Sequence, residues 1–271
     1  MDKKQQIGSY TAKGGFKNEA ILVSKFSNYL YDKEAQEWLR VMGYDYKKLL
    51  SLKVVLLPVR ISKSKMLELG VSDEGYETAQ GFKKADLQVV LELNIDGTIY
   101  RENISAKKAN ADAGFNQVDK RSVDKYTNMW NIPYEVVQIL KYFTGEIAPF
   151  TQTRDNRRMF LDEFSSNDID KVLDFFDKNR VLVINDILRG RGAYAADWMM
   201  VSLYDNNKIR YIIKDINSVC NFFARGDVKL SPKGSLKIGR VTMQRKGGTP
   251  DPTSLQFKIN TLKELSVLGN N

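Results

Sequence analysis

The sequence predicts an α/β (α+β) fold in which helices flank a mixed central β-sheet. Helical and strand-like patterns are interleaved along all 271 residues, as expected when helices pack against a sheet. Asp96-Gly97 separates two strand-like runs, and this dipeptide favours a two-residue hairpin turn. No repeat, low-complexity block or Pro/Gly/Ser-rich linker divides the chain, so we expect one domain over residues 1–271.

In the first half of the chain, hydrophobic spacing predicts two helices, a buried strand, a hairpin and two more helices. The apolar stripes of the first two helices are Phe16, Ala20, Val23, Phe26 and Leu30, and then Ala35, Trp38, Leu39 and Met42. Strands are predicted at 52–57, 87–95 and 98–106. The helices that follow are one with Val123, Tyr126 and Trp130 on its apolar side and one over 134–143.

The second half of the chain alternates strands with two helices. Ser165 begins a capping-box-like sequence, which predicts the start of a helix. Its apolar face is Ile169, Val172, Leu173 and Phe176. A further helix is predicted near 216–224. The strand-like runs are 181–188, 198–204, 209–213, 236–243 and 255–259.

The composition excludes several kinds of chemistry. The chain has no histidine and one cysteine, Cys220. Imidazole and thiolate are the usual zinc ligands and the usual partners in nucleophilic triads, so zinc fingers, Ser-His-Asp hydrolases and disulfide scaffolds are excluded. Catalysis would have to use carboxylates, lysine, hydroxyls, amides or a hard metal ion held by oxygen ligands.

The charge balance favours a polyanionic partner. The chain carries 42 basic and 33 acidic residues, a formal net charge of +9, which suits nucleic acid or an anionic membrane surface. No apolar run reaches the roughly 18 residues needed to span a bilayer, and the first ten residues lack the apolar stretch of a signal peptide. We therefore expect a soluble cytoplasmic protein with no membrane partner.

The hairpin over 86–107 carries the candidate catalytic residues. A two-residue turn would place Asp86 opposite Lys107 and Gln88 opposite Ser105. Because side chains alternate between the faces of a strand, Asp86, Ser105 and Lys107 share one polar face. The other face is apolar, with Leu87, Val89, Leu91, Leu93, Ile104 and Ala106.

That polar face has the residue types needed for metal-assisted hydrolysis of a phosphodiester. The Asp86 carboxylate and the Ala106 backbone carbonyl would anchor Mg²⁺, a hard ion that prefers oxygen ligands. Lys107 would stabilise charge on the phosphate or help to deprotonate the attacking water. A plain salt bridge between Asp86 and Lys107 on an ordinary hairpin explains the same pattern.

The hairpin and its surroundings resemble a known nuclease family. Asp86, eighteen intervening residues and Ser105-Ala106-Lys107 look like a variant of the PD-(D/E)XK motif. The flanking blocks are 11–19, 114–120, 157–160, 179–182, 186–192 and 241–248. Together they resemble the HinP-type restriction endonucleases, small type II enzymes that cut GCGC in duplex DNA with Mg²⁺. The resemblance runs from about Thr11 to Ile259 and implies a PD-(D/E)XK restriction-endonuclease-like fold.

Two positions depart from the general motif. Ala85 stands where the superfamily often has proline, and Ser105 stands where it has an acid. A hydroxyl ligates a divalent ion more weakly than a carboxylate, so another acid could compensate. By resemblance the candidate is Glu19 on the first helix, and the alternative is a solvated glutamate that the helix dipole favours.

The resemblance also implies where DNA is read. Phe115 and Gln117 are expected at the bases, with Asn116 between them as a further DNA-binding residue. They precede a predicted helix that carries Lys120 and Arg121. The C-terminal half is expected to contribute recognition loops. Their residues are Gln244, Arg245 and Lys246 at guanines or phosphates, and Arg189 and Arg191 as phosphate clamps.

The sequence therefore predicts a type II restriction endonuclease that makes Mg²⁺-dependent double-strand cuts at a short palindrome, with GCGC as the expected site. Cutting by sequential nicking and by paired cuts both stay open, as do a monomer and a homodimer. A paired DNA methyltransferase is expected as its functional partner. A non-catalytic sequence-specific DNA-binding protein and a structure-specific DNA repair nuclease are the alternatives.

Overall fold

A computed structural model describes residues 3–68, 70–72, 75–93, 97–110, 115–205, 208–247 and 253–261, with only the backbone described for residues 3–13. The chain divides into two compact units. The mixed-sheet unit comprises residues 10–114, 188–219 and 261–271, and the antiparallel-sheet unit comprises 1–9, 115–187 and 220–260. Each unit is assembled from separated segments, so neither is a contiguous stretch of sequence.

The mixed-sheet unit contains a five-stranded sheet of order β1-β2-β3-β5-β6. Its strands are β1 (Leu49–Leu56), β2 (Leu87–Leu93), β3 (Ile99–Asn110), β5 (Trp198–Asp205) and β6 (Lys208–Asp215). β3 and β5 are parallel, and the other neighbours are antiparallel. The helices of this part of the chain are α1 (Lys3–Ser27), α2 (Lys33–Val41), α3 (Lys63–Glu68) and α4 (Tyr76–Gly81), with 3-10 turns at Tyr46–Lys48 and Gly192–Tyr194. The predicted mixed sheet is confirmed.

The core of this unit forms where α1 and α2 contact the sheet. Its buried members include Leu22, Phe26, Trp38, Leu39, Leu87, Val89, Leu91, Ile104 and Met200. The stripe predicted for the first helix is only partly right. Phe16 and Leu30 are each 56% exposed, and Leu22 takes a buried place instead. α1 ends at Ser27 and the chain turns there, so Leu30 does not continue the helical face.

The hairpin of β2 and β3 has a different register from the one predicted. Leu87 lies opposite Ile104 and Gln88 opposite Asn103, so the pairing is displaced by two residues. The Leu93 N–H donates to the Thr98 carbonyl at 3.1 Å, whereas a two-residue turn at Asp96-Gly97 would place Ile95 opposite Thr98. Asp96 of the predicted turn lies outside the described residues. A displacement of two leaves every side chain on its predicted face, because strand side chains alternate with period two.

The antiparallel-sheet unit contains a second five-stranded sheet, of order β4-β10-β9-β8-β7. Its strands are β4 (Phe115–Ser122), β7 (Val228–Leu230), β8 (Leu236–Ile238), β9 (Val241–Arg245) and β10 (Ser254–Asn260). The helices of this part of the chain are α5 (Val123–Trp130), α6 (Tyr134–Thr144), α7 (Ser166–Lys178) and α8 (Arg180–Leu188), with a 3-10 turn at Leu161–Glu163. Helix α9 (Ile216–Ala224) is divided between the two units after Val219. Tyr126 stacks on Trp130 at 4.6 Å between ring centres, and both rings meet Phe257 edge-on.

Three predictions for this part of the chain are wrong. Residues 181–188 form helix α8, not a strand, and Val183, Ile184 and Ile187 are buried at helical spacing while Val181 is exposed. The run 236–243 is divided into β8 and β9 by a turn at Gly239, whose φ is +57°. Residues 115–122 are a strand that pairs with β10, although a loop and the start of a helix were predicted there.

Within the described ranges, no helix is both long enough and apolar enough to cross a membrane.

Candidate active site

The hairpin brings Asp86, Ser105 and Lys107 into one cluster. The Ala106 N–H donates to Asp86 Oδ2 at 2.8 Å, which orients the carboxylate. Lys107 Nζ donates to Ser105 Oγ at 2.8 Å and to the Ala106 carbonyl at 3.2 Å, and it lies 3.5 Å from Asp86 Oδ2. Ser105 Oγ is also 3.5 Å from that oxygen. The ion pair of Asp86 and Lys107 therefore exists, although the two residues are not directly opposite.

The positions of these side chains follow from the local sequence. Asp86 immediately precedes β2, and its N–H donates to the Ile104 carbonyl at 2.8 Å while its own carbonyl accepts from the Leu57 N–H. Leu87 and Ile104 are fully buried in the core on the apolar face. Alternation then places the acid and the lysine on the opposite face, where both side chains stay partly exposed.

Glu19 of α1 belongs to the same electrostatic cluster. Burial, together with the negative charge of Asp86, raises the pKa of the Glu19 carboxyl to about 7. The positive charges of Lys107 and Lys83 oppose this rise. A cation between two partly buried carboxylates would offset the electrostatic repulsion between them. Glu19, the predicted second acid, is thus coupled electrostatically to the hairpin site.

Lys83 is a second lysine of this cluster, and the sequence reasoning missed it. Its ammonium donates to the Ala85 carbonyl at 2.7 Å. Burial lowers the pKa of Lys83, although the carboxylates of Asp86 and Glu19 act in the opposite direction. Its place three residues before Asp86 was the available signal, and it is a weak one because Lys84 follows immediately.

The donor set of the cluster fits a hard divalent cation. The described residues contain no group of three or more His, Cys, Asp or Glu side chains placed to hold a metal ion. The oxygen donors present are the carboxylates of Asp86 and Glu19, the Ala106 carbonyl and the Ser105 hydroxyl. Such a set suits Mg²⁺, which takes one or two carboxylates and keeps several waters.

A buried polar network joins the hairpin to residues 189–197. Gln88 donates to Asn103 Oδ1 at 3.0 Å, and Asn103 Nδ2 donates to the carbonyls of Ala193 and Ala195 at 3.0 and 2.9 Å. The Asn103 N–H donates to Asp197 Oδ2 at 2.9 Å. This network holds the segment that carries the two predicted phosphate clamps against β3.

Arg189 and Arg191 flank a glycine that fits tightly in this segment. Gly190 has φ of +77°, and a Cβ there would lie 1.9 Å from the Phe82 carbonyl oxygen. The Arg191 guanidinium lies 4.5 Å from the centre of the Phe82 ring, and Arg189 is exposed. Both arginines lie in the mixed-sheet unit with the hairpin.

The other predicted DNA-contacting residues lie in the antiparallel-sheet unit. Phe115 is 61% exposed at the start of β4, with Asn116 half-buried and Gln117 exposed after it. Lys120 and Arg121 lie on β4 and not on a helix, which corrects the prediction. Arg121 Nε donates to Asp119 Oδ2 at 3.2 Å, while Lys120 is exposed.

The predicted loop over 244–248 is partly a strand. Gln244 and Arg245 close β9, and Lys246 follows it with its N–H bonded to the Ser254 carbonyl at 2.8 Å. Gly248 lies outside the described residues. The Arg245 side chain is 8% exposed and lies 3.6 Å from Asp155 Oδ2.

Cross-strand pairing in this sheet reveals polar residues that the sequence reasoning missed. Lys258 of β10 lies opposite Gln117 of β4 on one side and opposite Thr242 of β9 on the other. Gln256 lies opposite Gln244 and Lys120. Burial, reinforced by the charge of Lys246, lowers the pKa of Lys258. The alternation of Leu255, Phe257 and Ile259 was the signal for the polar positions between them.

Comparison with known proteins identifies the class. The fold is similar to that of the restriction endonuclease MspI, solved in complex with its cognate DNA, with a TM-score of 0.57 and 12% sequence identity over 89% of this chain and 83% of that chain. This likeness establishes a restriction-endonuclease-like fold. No curated protein matches the sequence.

The family follows from the sequence itself. The family model described as R.HinP1I restriction endonuclease matches residues 77–265, well over half of the chain. The chain belongs to the R.HinP1I restriction endonuclease family. It is a type II restriction endonuclease, a site-specific deoxyribonuclease that binds and cleaves DNA.

Proposed function

We propose that this endonuclease makes Mg²⁺-dependent double-strand cuts at a short palindrome, GCGC, in duplex DNA. The observation that carries the proposal is the convergence of Asp86, Ser105, the Ala106 carbonyl and Lys107 on one polar face, with Glu19 close by. An isolated cross-strand ion pair would not require the second carboxylate, whose repulsion with Asp86 costs free energy. The cut site is taken from the resemblance to GCGC-cutting enzymes.

In this proposal Asp86, Glu19, the Ala106 carbonyl and Ser105 hold Mg²⁺. When bound, the ion polarises the phosphate and lowers the pKa of a coordinated water. Ser105 is the weakest of these donors, because it is a neutral hydroxyl that already accepts a hydrogen bond from Lys107. Glu19 supplies the carboxylate that the general motif has at position 105.

Lys107 acts on the phosphate that is being cut. Its ammonium is held by Ser105 Oγ and the Ala106 carbonyl, so it is oriented before DNA binds. A fixed positive charge stabilises negative charge that develops on the phosphate, and it does so without reorganisation. With no histidine in the chain, no imidazole base takes part.

Sequence recognition belongs, in this proposal, to the sheet of the antiparallel-sheet unit. Gln117, Gln244 and Lys258 offer amide and ammonium groups that suit base edges, and Lys246 adds a cation at the end of β9. Asn116 is a further amide of β4, and Phe115 is exposed enough to wedge at a base step, whereas Gln256 is only 3% exposed. Lys120, Arg121, Arg189 and Arg191 contribute positive charge towards phosphates, with Arg121 also bound to Asp119. The Arg245 side chain is 8% exposed and paired with Asp155, so it is not assigned a phosphate.

The test is cleavage of plasmid DNA with Mg²⁺, followed by sequencing of the ends. We expect fixed ends within GCGC and no cutting by Asp86→Asn. Ends at junctions or lesions would indicate a structure-specific repair nuclease, and binding without cutting would indicate a DNA-binding protein. Cytosine methylation of the site is expected to block cutting, as protection by a paired methyltransferase requires. Gel filtration with light scattering decides between monomer and homodimer.

A further inference from the structure

Lys83 is partly exposed, and its ammonium has few hydrogen-bond partners among the described residues. It donates one hydrogen bond, to the Ala85 carbonyl at 2.7 Å. Among the described residues, no carboxylate lies within 4.0 Å of it. An ammonium has three donors, so two of them have no protein acceptor there.

Another partly buried lysine of the same unit shows the contrast. Lys25 is 24% exposed, and its ammonium pairs with Asp32 at 3.0 Å and also with Glu34. Burying an ammonium is costly unless it is paired, and for Lys25 the two carboxylates offset that cost. Lys83 has no such pair, although Asp86 and Glu19 act on it electrostatically from a greater distance.

The position of Lys83 indicates which ligand would accept its remaining hydrogen bonds. Its ammonium contacts the carbonyl of Ala85, the residue next to Asp86, and its charge acts on Glu19 and Asp86 and is repelled by Lys107. The Lys107 ammonium donates to two oxygen acceptors, whereas the Lys83 ammonium donates to one protein acceptor among the described residues. A phosphate oxygen is an anionic acceptor that would pair with it, and the proposed reaction takes place at a phosphate.

We propose that Lys83 is a further catalytic residue, whose ammonium contacts a non-bridging oxygen of the DNA strand at the scissile phosphate or its immediate neighbour. This inference rests on the proposed function of the hairpin site. Lys83 binds and orients that phosphate and takes no part in proton transfer. The hydrogen bond to the Ala85 carbonyl holds the Lys83 ammonium in position before DNA binds, so little reorganisation accompanies binding.

The first experiment compares Lys83→Gln with the parent enzyme in single-turnover cleavage. Glutamine keeps an N–H donor towards the Ala85 carbonyl and removes the charge. Loss of a charge-assisted hydrogen bond predicts a rate about 10- to 100-fold lower. Lys83→Arg is expected to recover most of the rate, and Lys53→Gln, an exposed position on β1, to leave it unchanged. Thermal unfolding verifies folding, and Lys83→Met replaces Lys83→Gln if that variant does not fold.

The second experiment identifies the phosphate. Duplexes carry a neutral methylphosphonate at one phosphate at a time around the cut, and binding and cleavage are measured with the parent and Lys83→Gln. If Lys83 contacts a phosphate, the two changes are not additive at that position alone. Additive effects at every position would show that Lys83 only supports the Ala85 backbone and would overturn the inference. If Asp86→Asn cuts normally, the proposed site itself fails; if Asp86→Asn is inactive while Lys83→Gln is fully active, only this inference fails.

Discussion

Replacing Asn103 tests the network that joins the hairpin to residues 189–197. The buried Asn103 side chain donates to the carbonyls of Ala193 and Ala195 and accepts from Gln88. Asn103→Ala removes three hydrogen bonds and leaves their partners unsatisfied in a buried place. At about 1 kcal/mol for each hydrogen bond, the free energy of unfolding should fall by about 3 kcal/mol.

The assay is urea unfolding followed by tryptophan fluorescence, with Trp198 beside β3 as a local reporter. The control is Asn221→Ala at an exposed position of α9, which should change the free energy by less than about 0.5 kcal/mol. Hydrogen exchange at the Ala195 and Ala196 amides should quicken in Asn103→Ala, because the carbonyl contacts that hold this segment are gone. A loss below about 1 kcal/mol with unchanged exchange would refute the role assigned to the network.

Three further predictions concern the site, recognition and acid stability. Asp86→Asn and Lys107→Met should each lower the single-turnover cleavage rate by at least about 100-fold while DNA binding without metal is retained, as filter binding would show. Lys258→Met should lose discrimination between the true site and one-base variants by about 10-fold, whereas equal loss on all sequences would indicate a phosphate contact. Hydrogen bonds from Arg157 lower the pKa of Asp155 from 3.8 to about 2, so its stabilisation is complete above pH 4 and is lost as the pH falls towards 2. Asp155→Asn should therefore cost about 1 kcal/mol at pH 7, after allowance for solvent screening, and should approach the parent's stability near pH 2 in acid unfolding curves.

Each of these outcomes has a matched comparison. Arg121→Gln and Lys120→Gln on β4 serve as charge-removal controls for Lys258→Met, because they are proposed to face phosphates. For Asp155, a stability difference from the parent that does not shrink between pH 4 and pH 2 would contradict the assigned protonation. Full cleavage activity in Asp86→Asn or Lys107→Met would contradict the assignment of the hairpin as the catalytic site.

The hairpin shows how much of the site could be predicted. The faces of Asp86, Ser105 and Lys107 were predicted correctly, because alternation along a strand needs only local sequence. The register was wrong by two residues, because Leu93 bonds to Thr98, whereas a two-residue turn at Asp96-Gly97 would place Ile95 there. An error of one residue would have moved Asp86 to the core face; an error of two changed only which residue lies opposite it.

Burial and pairing across strands account for what was missed. Nothing local distinguishes Lys83 from Lys84, yet Lys83 donates to the Ala85 carbonyl and its charge acts on Asp86 and Glu19. Lys258 became a candidate only when β10 was seen to pair with both β4 and β9. Residues 180–188 have an apolar run that suits a strand or a helix, and their tertiary surroundings made them a helix.

By itself, the sequence determined the chemistry available and the faces on which it lies. Because the chain has no histidine and one cysteine, the groups available for catalysis are lysines, carboxylates and other oxygen donors. Alternation along the strands places Asp86, Ser105 and Lys107 on one face of a hairpin. Only the tertiary structure decided that residues 115–122 form a strand paired with β10 and that Glu19 acts on Asp86. These depend on contacts between residues far apart in the chain, whose energies no local pattern contains.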